Sequence, residues 1–363
     1  MPTDRPALRA LTGLRFPAAL SVVLCHFGES GMAPVPSRLV AFLDGGRTAV
    51  ALFFVLSGFI LAYNYPRLTG RTGRWRFYVA RLARVYPMVL LGAAVGAIGM
   101  VHAWRHPGLL EPWFALTSSG PGAPAVSLAA QLTMTTGWFP FSSINQPWNG
   151  PAWSIACEAF FYALFPVLIA AARRWSVRWV VVTAAALWLL QGLWIAALDR
   201  FVPENRSGFV IEQFPLTHFA DFVLGIATWR LLAVRIDSGR TIGRVPRLAM
   251  LVAVVLGLAA LALMGSDVAA YWPMTPLFAA LVGLLAISSP ARSWLACAPL
   301  VLLGEASFSL YLLHLPLLRA AQAAGVPGGS VGTLLLVGVV GLSIPVFLLY
   351  ETPIRRAIRR RAG

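Results

Sequence analysis

Apolar residues along this chain gather into long runs separated by short, arginine-bearing polar stretches. A helix needs about twenty mostly apolar residues to cross the hydrocarbon core of a bilayer. Ten runs are read at that scale: 9–28, 47–65, 85–104, 153–172, 178–198, 214–233, 248–265, 272–289, 299–320 and 329–350. The pattern predicts an all-α integral membrane protein, a bundle of about ten transmembrane helices. The stretches between runs are too short to fold separately. One membrane domain is therefore expected over 1–363, with a basic tail from about 351 and no separate soluble domain. Segment 126–139 is apolar but too short to span, and is expected as an interfacial or re-entrant helix. The Pro/Gly-rich stretch 105–125 reads as a loop, and no internal repeat is found.

Composition sharpens this picture. The chain is 58% hydrophobic and 12% charged, against roughly 45–50% and 25% for an ordinary soluble domain. That excludes disorder and argues against a cytosolic globule. All 29 basic residues are arginine, and the formal net charge is +16. Such a balance suits nucleic acid in general, but these arginines cluster between apolar runs, as membrane flanks do. The bilayer is the expected partner, and no nucleic acid is expected. With both termini placed in the cytoplasm, 22 arginines fall inside and six outside, with Arg15 in the first span. That is the positive-inside bias. Cys25, Cys157 and Cys297 sit in apolar runs without metal-type spacing, so neither disulfides nor a metal site are expected. The first run carries Arg15 and His26 and lacks a cleavage pattern, so no secretory signal is expected.

Ionisable residues inside a spanning helix are costly and are functional candidates by default. Here they are Arg15, His26, Glu158, His218, Asp221, Glu305 and His314. Arg15 and His26 are eleven residues apart, which returns to nearly the same helix face about 16 Å further along. They read as one functional stripe, or as a snorkelling anchor and a satisfied polar group. Pro17 is expected to break the first helix and leave Arg15 ahead of the helix proper. Arg81 and Arg84, at i and i+3, share a face and can grip a phosphate through forked hydrogen bonds. Anchoring of a basic loop is the structural alternative.

The densest polar cluster runs from Asn149 through Trp153 and Ser154 to Glu158. The Glu158 carboxylate needs a partner, an arginine, a histidine or an ordered water; it reads as a group that orients His26 or as a purely structural hydrogen bond. Ser307, Tyr311 and His314, at i, i+4 and i+7, form one wall of a pocket or a packed polar seam. Ser57 and Gly58 read first as a site of close helix approach. Asp221 and Glu351 read as buried-bond and interface residues, and Cys157 as a packed hydrophobe.

Taken in order, these segments resemble the acyltransferase-3 family, bacterial multipass membrane O-acyltransferases, over nearly the whole chain. The motifs are Arg15-x10-His26, FFVLSGF from Phe53, Arg81-x-x-Arg84-Val-Tyr-Pro, and Asn149-Gly-Pro-x-Trp153-Ser154-Ile-x-x-Glu158. Phe222-x-Leu-Gly after Asp221, Ser309-Leu-Tyr311-Leu-Leu-His314 and Glu351-x-Pro complete the set. The resemblance implies transfer of a short acyl group, acetyl first, from acyl-CoA to a hydroxyl. The implied acceptor is a carbohydrate or a glycosylated, macrolide-like natural product, and the location a bacterial cell membrane. It implies His26 as the essential histidine and Arg15, Arg81 and Arg84 as acyl-CoA contacts. In the expected scheme His26 is the general base and Glu158 holds its tautomer. Asn149, Trp153, Ser154, Tyr311 and His314 line the substrate pocket, with His314 the competing base. Acyl-CoA is a donor substrate, and no permanently bound cofactor is expected. Departures from the family pattern are Ala51 for an Asp, Ala159 for a second acid, and Asp221 for a Glu. Envelope-modifying members can carry an extra span and an esterase-like domain; the ten-span core read here tilts the expectation toward a small glycosylated acceptor. The rival class is a multipass transporter or flippase of a glycan or small metabolite.

Overall fold

The computed structural model describes residues 8–42, 46–109, 122–237, 243–264, 271–287 and 293–361. Most of the loop expected over 105–125, the ends of two expected spans (265, 288–289), and Arg5, Arg240 and Arg292 lie outside them. Regular structure among the described residues is helical. In chain order the helices are α1 (Arg9–Glu29), α2 (Ser37–Phe42), α3 (Arg47–Asn64), α4 (Gly70–Arg105), α5 (Ala123–Leu132), α6 (Ser142–Asn145) and α7 (Trp153–Arg174). There follow α8 (Val177–Phe201), α9 (Glu204–Gln213), α10 (Phe219–Asp237), α11 (Arg244–Met264), α12 (Thr275–Ala286), α13 (Ala298–Ala323), α14 (Ser330–Pro345) and α15 (Thr352–Arg361). A π turn, Val346–Glu351, joins the last two.

Among the described residues, seven helical stretches are long and apolar enough to cross a bilayer: α1, α4, Gly150–Arg174, α8, Val245–Leu263, α13 and Ser330–Arg361. The other three expected spans fall on α3, α10 and α12. At twelve residues, α12 is about 18 Å long, well short of a 30 Å hydrocarbon core. Large apolar side chains are exposed along α8 and α11, among them Leu190, Leu193, Val245, Leu256 and Leu263. Such a surface suits lipid and not water.

Local chemistry moves several boundaries. α1 passes through Pro17 without a break, so Arg15 lies inside the helix. Packed spans tolerate proline because neighbouring elements re-satisfy the freed backbone groups. α4 begins fifteen residues before the expected 85, because Arg, Ala and Leu around Arg81 favour helix whether or not they lie in lipid. Arg81 and Arg84 therefore project from a helix and not from a loop. α10 begins at Phe219, leaving 214–218 as a turn that carries Thr217 and His218. The apolar stretch 126–139 forms α5 and a short 3₁₀ turn, Thr136–Trp138.

The bundle is tight where glycine permits backbone contact. A Cβ on Gly58 would lie 2.0 Å from the Phe222 carbonyl oxygen, and one on Gly225 2.0 Å from that of Val55. α3 and α10 thus meet backbone to backbone, and Phe54, Phe161 and Phe222 fill the adjoining core, with Phe161 and Phe222 stacked at 4.8 Å. Alanine at either glycine forces the helices apart. Gly58→Ala and Gly225→Ala should each cost about 1–3 kcal/mol of stability, read as a lower unfolding midpoint in detergent. Gly338→Ala, with no atom within 4 Å of the new Cβ, should leave the midpoint unchanged.

Candidate active site

α1, α3, α4, α7, α13 and α15 enclose a cavity of about 330 Å³. Arg15, Arg81, Arg84, Arg355 and Arg359 line it, against Glu158 and Glu305, so it carries a positive excess. Its arginines are not equivalent. Arg84 is paired with the fully buried Glu351 and lies 4.9 Å over the ring of Phe308. Glu351 also accepts a bond from Ser309 Oγ at 2.7 Å and lies 3.7 Å from Arg355. Its interface reading therefore extends to holding α4 and α13 together at the cavity wall. Arg81 donates to the Tyr65 hydroxyl at 3.2 Å and sits over the rings of Tyr65 and Tyr162, while its Nε is buried without a partner. Arg15 has no hydrogen bond or salt bridge among the described residues; the charges that act on it are those of Arg84, Glu351 and Glu158. An unpaired guanidinium inside a bundle is costly, which marks Arg15 as poised for an anion.

The cavity narrows into a second space of about 50 Å³ that shares Arg15, Phe53, Glu158 and Phe308 with it. Ser154, Ser307 and Tyr311 complete its walls. Glu158 accepts a hydrogen bond from Tyr162, one turn on. That bond, and not one to His26, is where the structure places the carboxylate. Ser154 Oγ and the Tyr311 hydroxyl both donate to the Pro151 carbonyl, at 2.9 and 3.3 Å. They thereby tie the start of α7 to α13.

Beyond Tyr311 lies a pair of imidazoles. His26 Nδ1 and His314 Nε2 are 2.8 Å apart, and the rings are stacked. His314 Nδ1 is 2.6 Å from the Tyr311 carbonyl oxygen. A carbonyl only accepts, so His314 Nδ1 must carry a proton. In the neutral ring Nε2 is then the acceptor, and His26 Nδ1–H is its donor. His26 Nε2 is left with the lone pair, and it has no partner among the described residues. One backbone carbonyl thus fixes two tautomers in series.

A second imidazole–carboxylate cluster lies apart from these cavities. His218 Nε2 donates to the Glu212 carbonyl at 2.8 Å, and Nδ1 is 3.1 Å from Asp221 Oδ2. Gln191 donates to Asp221 Oδ1 and to the Thr217 carbonyl, at 3.1 and 2.7 Å. His218 and Asp221 are both buried, and every His218 nitrogen is used. The cluster anchors the 214–218 turn to α8, the buried-bond role expected of Asp221. Trp153 packs against Phe54 and stacks on His218, away from the narrow space. Asn149 donates to the Leu312 carbonyl at 2.9 Å.

Among the residues near the cavities that were not singled out from sequence are Tyr162, Gln146 and Arg319. Tyr162 was findable, because it stands four residues after Glu158 on one helix face. Gln146 and Arg319 carry no such signal.

The family model for the acyltransferase-3 group, described as an acyltransferase domain, matches residues 8–351. The chain is 29% identical over 345 residues to acyltransferase MdmB of Streptomyces mycarofaciens, covering 92% of this chain and 84% of that protein. It is 25% identical over 342 residues to peptidoglycan O-acetyltransferase OatA of Listeria monocytogenes, covering 87% of this chain and 50% of OatA. It is 24% identical over 190 residues to nodulation protein 10 of Rhizobium leguminosarum, covering 51% of this chain and 48% of that one. No solved structure matches.

The hydrogen-bonded His218–Asp221–Gln191 cluster holds the 214–218 turn in place. Removing one partner of a buried hydrogen bond leaves the other unsatisfied and typically costs about 1–3 kcal/mol. Asp221→Ala should therefore lower the unfolding midpoint in detergent sharply. A variant that unfolds like the parent would show that the cluster bears no structural load.

Proposed function

The chain belongs to the acyltransferase-3 family, and on that premise we propose a membrane O-acyltransferase that moves a short acyl group, acetyl first, from acyl-CoA to a hydroxyl. The acceptor class is a carbohydrate or a glycosylated natural product. The observation that carries this reading is the lone pair on His26 Nε2, oriented through His314 by the Tyr311 carbonyl. A sugar hydroxyl is a weak nucleophile near neutral pH, and a neutral imidazole that takes its proton assists attack. The hydroxyl oxygen bonds to the thioester carbonyl carbon as its proton passes to His26 Nε2. The carbon–sulfur bond then breaks, and the thiolate leaves and takes that proton. His26 keeps its Nδ1–H bond to His314 throughout, so the imidazolium forms without rearrangement. His314 is a positioning residue in this scheme.

The donor's phosphates are assigned to the basic cavity, with Arg15, Arg81 and Arg359 as the contacts, while Arg84 is largely committed to Glu351. The narrow space beyond Arg15 suits the thin pantetheine arm and excludes the nucleotide. Glu158, bonded to Tyr162, then borders the thioester's path. Its part is to hold charge balance beside Arg15 rather than the tautomer of His26. This reading places one membrane unit, built from the ten apolar segments read in the sequence, in a bacterial cell membrane, with both termini and the mouth of the basic cavity in the cytoplasm. The relatives come from bacteria, and the arginine distribution supports the orientation.

Purified protein in detergent, given radiolabelled acetyl-CoA and a hydroxyl acceptor, should consume the thioester, whereas a transporter has no compartment to fill. His26→Ala should cut kcat by roughly 10²–10⁴ with acyl-CoA binding retained, and His314→Ala should cut it less with KM unchanged. Near-normal turnover by His26→Ala would assign the base elsewhere. Arg81→Ala should raise KM for acetyl-CoA, and the defect should shrink with a truncated thioester that lacks the nucleotide. Equal defects with both donors would reduce Arg81 to an anchor.

A further inference from the structure

Three cavities follow one another along a stripe of α13. The basic cavity lies at Glu305 and Phe308, the narrow space at Ser307 and Tyr311, and a third at Leu315, Pro316 and Arg319. His314 stands between the second and the third. Across from α13 the third is closed by Gln146, Trp148, Asn149 and Gly150, with Gly96 of α4 beside them. Its volume is about 20 Å³. A single water-sized group needs roughly 10–15 Å³, so the pocket admits one hydroxyl and not a sugar ring.

Its walls are built for a polar guest. Asn149 is 2% exposed, and its Oδ1 is buried without a partner. A buried amide oxygen left without a donor calls for an explanation. Trp148 holds φ at 66°, a left-handed conformation that a bulky residue adopts only when its surroundings impose it. Its carbonyl is pressed onto α4, where a Cβ on Gly96 would lie 1.6 Å away. This strained step sets Asn149 at the pocket wall. A Cβ at Gly150 would sit 2.7 Å from Gln146 Oε1 and 3.1 Å from Leu315, so any larger residue would fill the space. Arg319 lines the pocket, and Leu315 of its wall directly follows His314, which is hydrogen-bonded to His26. The pocket and the base are therefore neighbours.

We propose that this pocket is a subsite for the acceptor hydroxyl adjacent to the one acylated, so that the acceptor presents a vicinal diol. The attacking hydroxyl donates to His26 Nε2. Its neighbour enters the pocket, donates to Asn149 Oδ1 and accepts from Arg319. This rests on the acyl-transfer reading and names the acceptor chemistry that reading leaves open. Sugars and other polyols meet the requirement; isolated alcohols do not.

The test is a competition between ethylene glycol and ethanol as surrogate acceptors, with the full-length protein and acetyl-CoA in detergent. The readout is the ratio of the two acetate esters, counted per hydroxyl, which is independent of total turnover. The diol should be favoured by about tenfold or more, the scale of a hydrogen bond involving a charged group. Arg319→Met and Gly150→Ala should each bring the ratio toward one, and Arg319→Lys should restore part of it. A parent ratio near one, or thioester cleavage that yields acetate alone, overturns the subsite. A preference that survives both Arg319→Met and Gly150→Ala overturns it as well. Absence of any His26-dependent thioester cleavage is a different result: it removes the acyl-transfer reading itself, and the subsite with it.

Discussion

The packing of α1 against α13 is the contact on which the rest of the arrangement depends. At the end where the basic cavity lies, Gly304 lets the two backbones touch; a Cβ there would meet the Thr12 carbonyl oxygen at 1.9 Å. At the other end the same pair of helices brings His26 to within 2.8 Å of His314. Between these points Arg15 projects from α1 beside Phe308 and Tyr311 of α13. One helix pair thus supplies the unpaired cation, one side of the narrow passage and the imidazoles. A small change in the separation of α1 and α13 would act on all of them at once.

Charge inside the bundle is handled by two different devices. Around Glu351 a carboxylate is surrounded by Arg84, Arg355 and Ser309, so the cost of burial is met by internal partners. Around Asp221 one carboxylate oxygen meets the His218 imidazole and Gln191 donates to the other. Arg15, Asn149 Oδ1 and His26 Nε2 follow neither pattern. Arg15 and Asn149 line cavities strung along α13, with the hydrogen-bonded histidine pair between them.

Much of the helical order was legible in the sequence, because a twenty-residue apolar run has few alternatives to a long helix. The i, i+3 spacing of Arg81 and Arg84 placed them on one face, and both line the basic cavity. What the pattern does not encode is which faces meet. Periodicity assigns His26 and His314 to stripes of their own helices but not to each other, and it left Glu158 with three possible partners. The structure selects Tyr162, four residues on, an option local spacing alone contained. Boundaries were missed where one chemical cue stood for several. Pro17 signals a break in water but not in a packed span, and the arginines of α4 signal a membrane edge without ending the helix. Asn149 was marked by its polar neighbours, whereas Arg319 looked like one more flanking cation.

The π turn at Val346–Glu351 makes the final helical stretch a counting device. A π turn takes up more residues than an α turn would, and each residue removed from an α-helix rotates the downstream segment by about 100°. Deletion of a single leucine from Leu348–Leu349 would leave the apolar character of this stretch almost intact. Within the π turn it would be absorbed by relaxation to an α turn, whereas one residue deleted from the regular turns of α14 would swing the Glu351 carboxylate off the Arg84–Ser309 seam and carry Arg355 and Arg359 round the helix with it. Information here is stored in the number of residues and not in their kind, so length variants of this helix are a more severe class of change than substitutions within it.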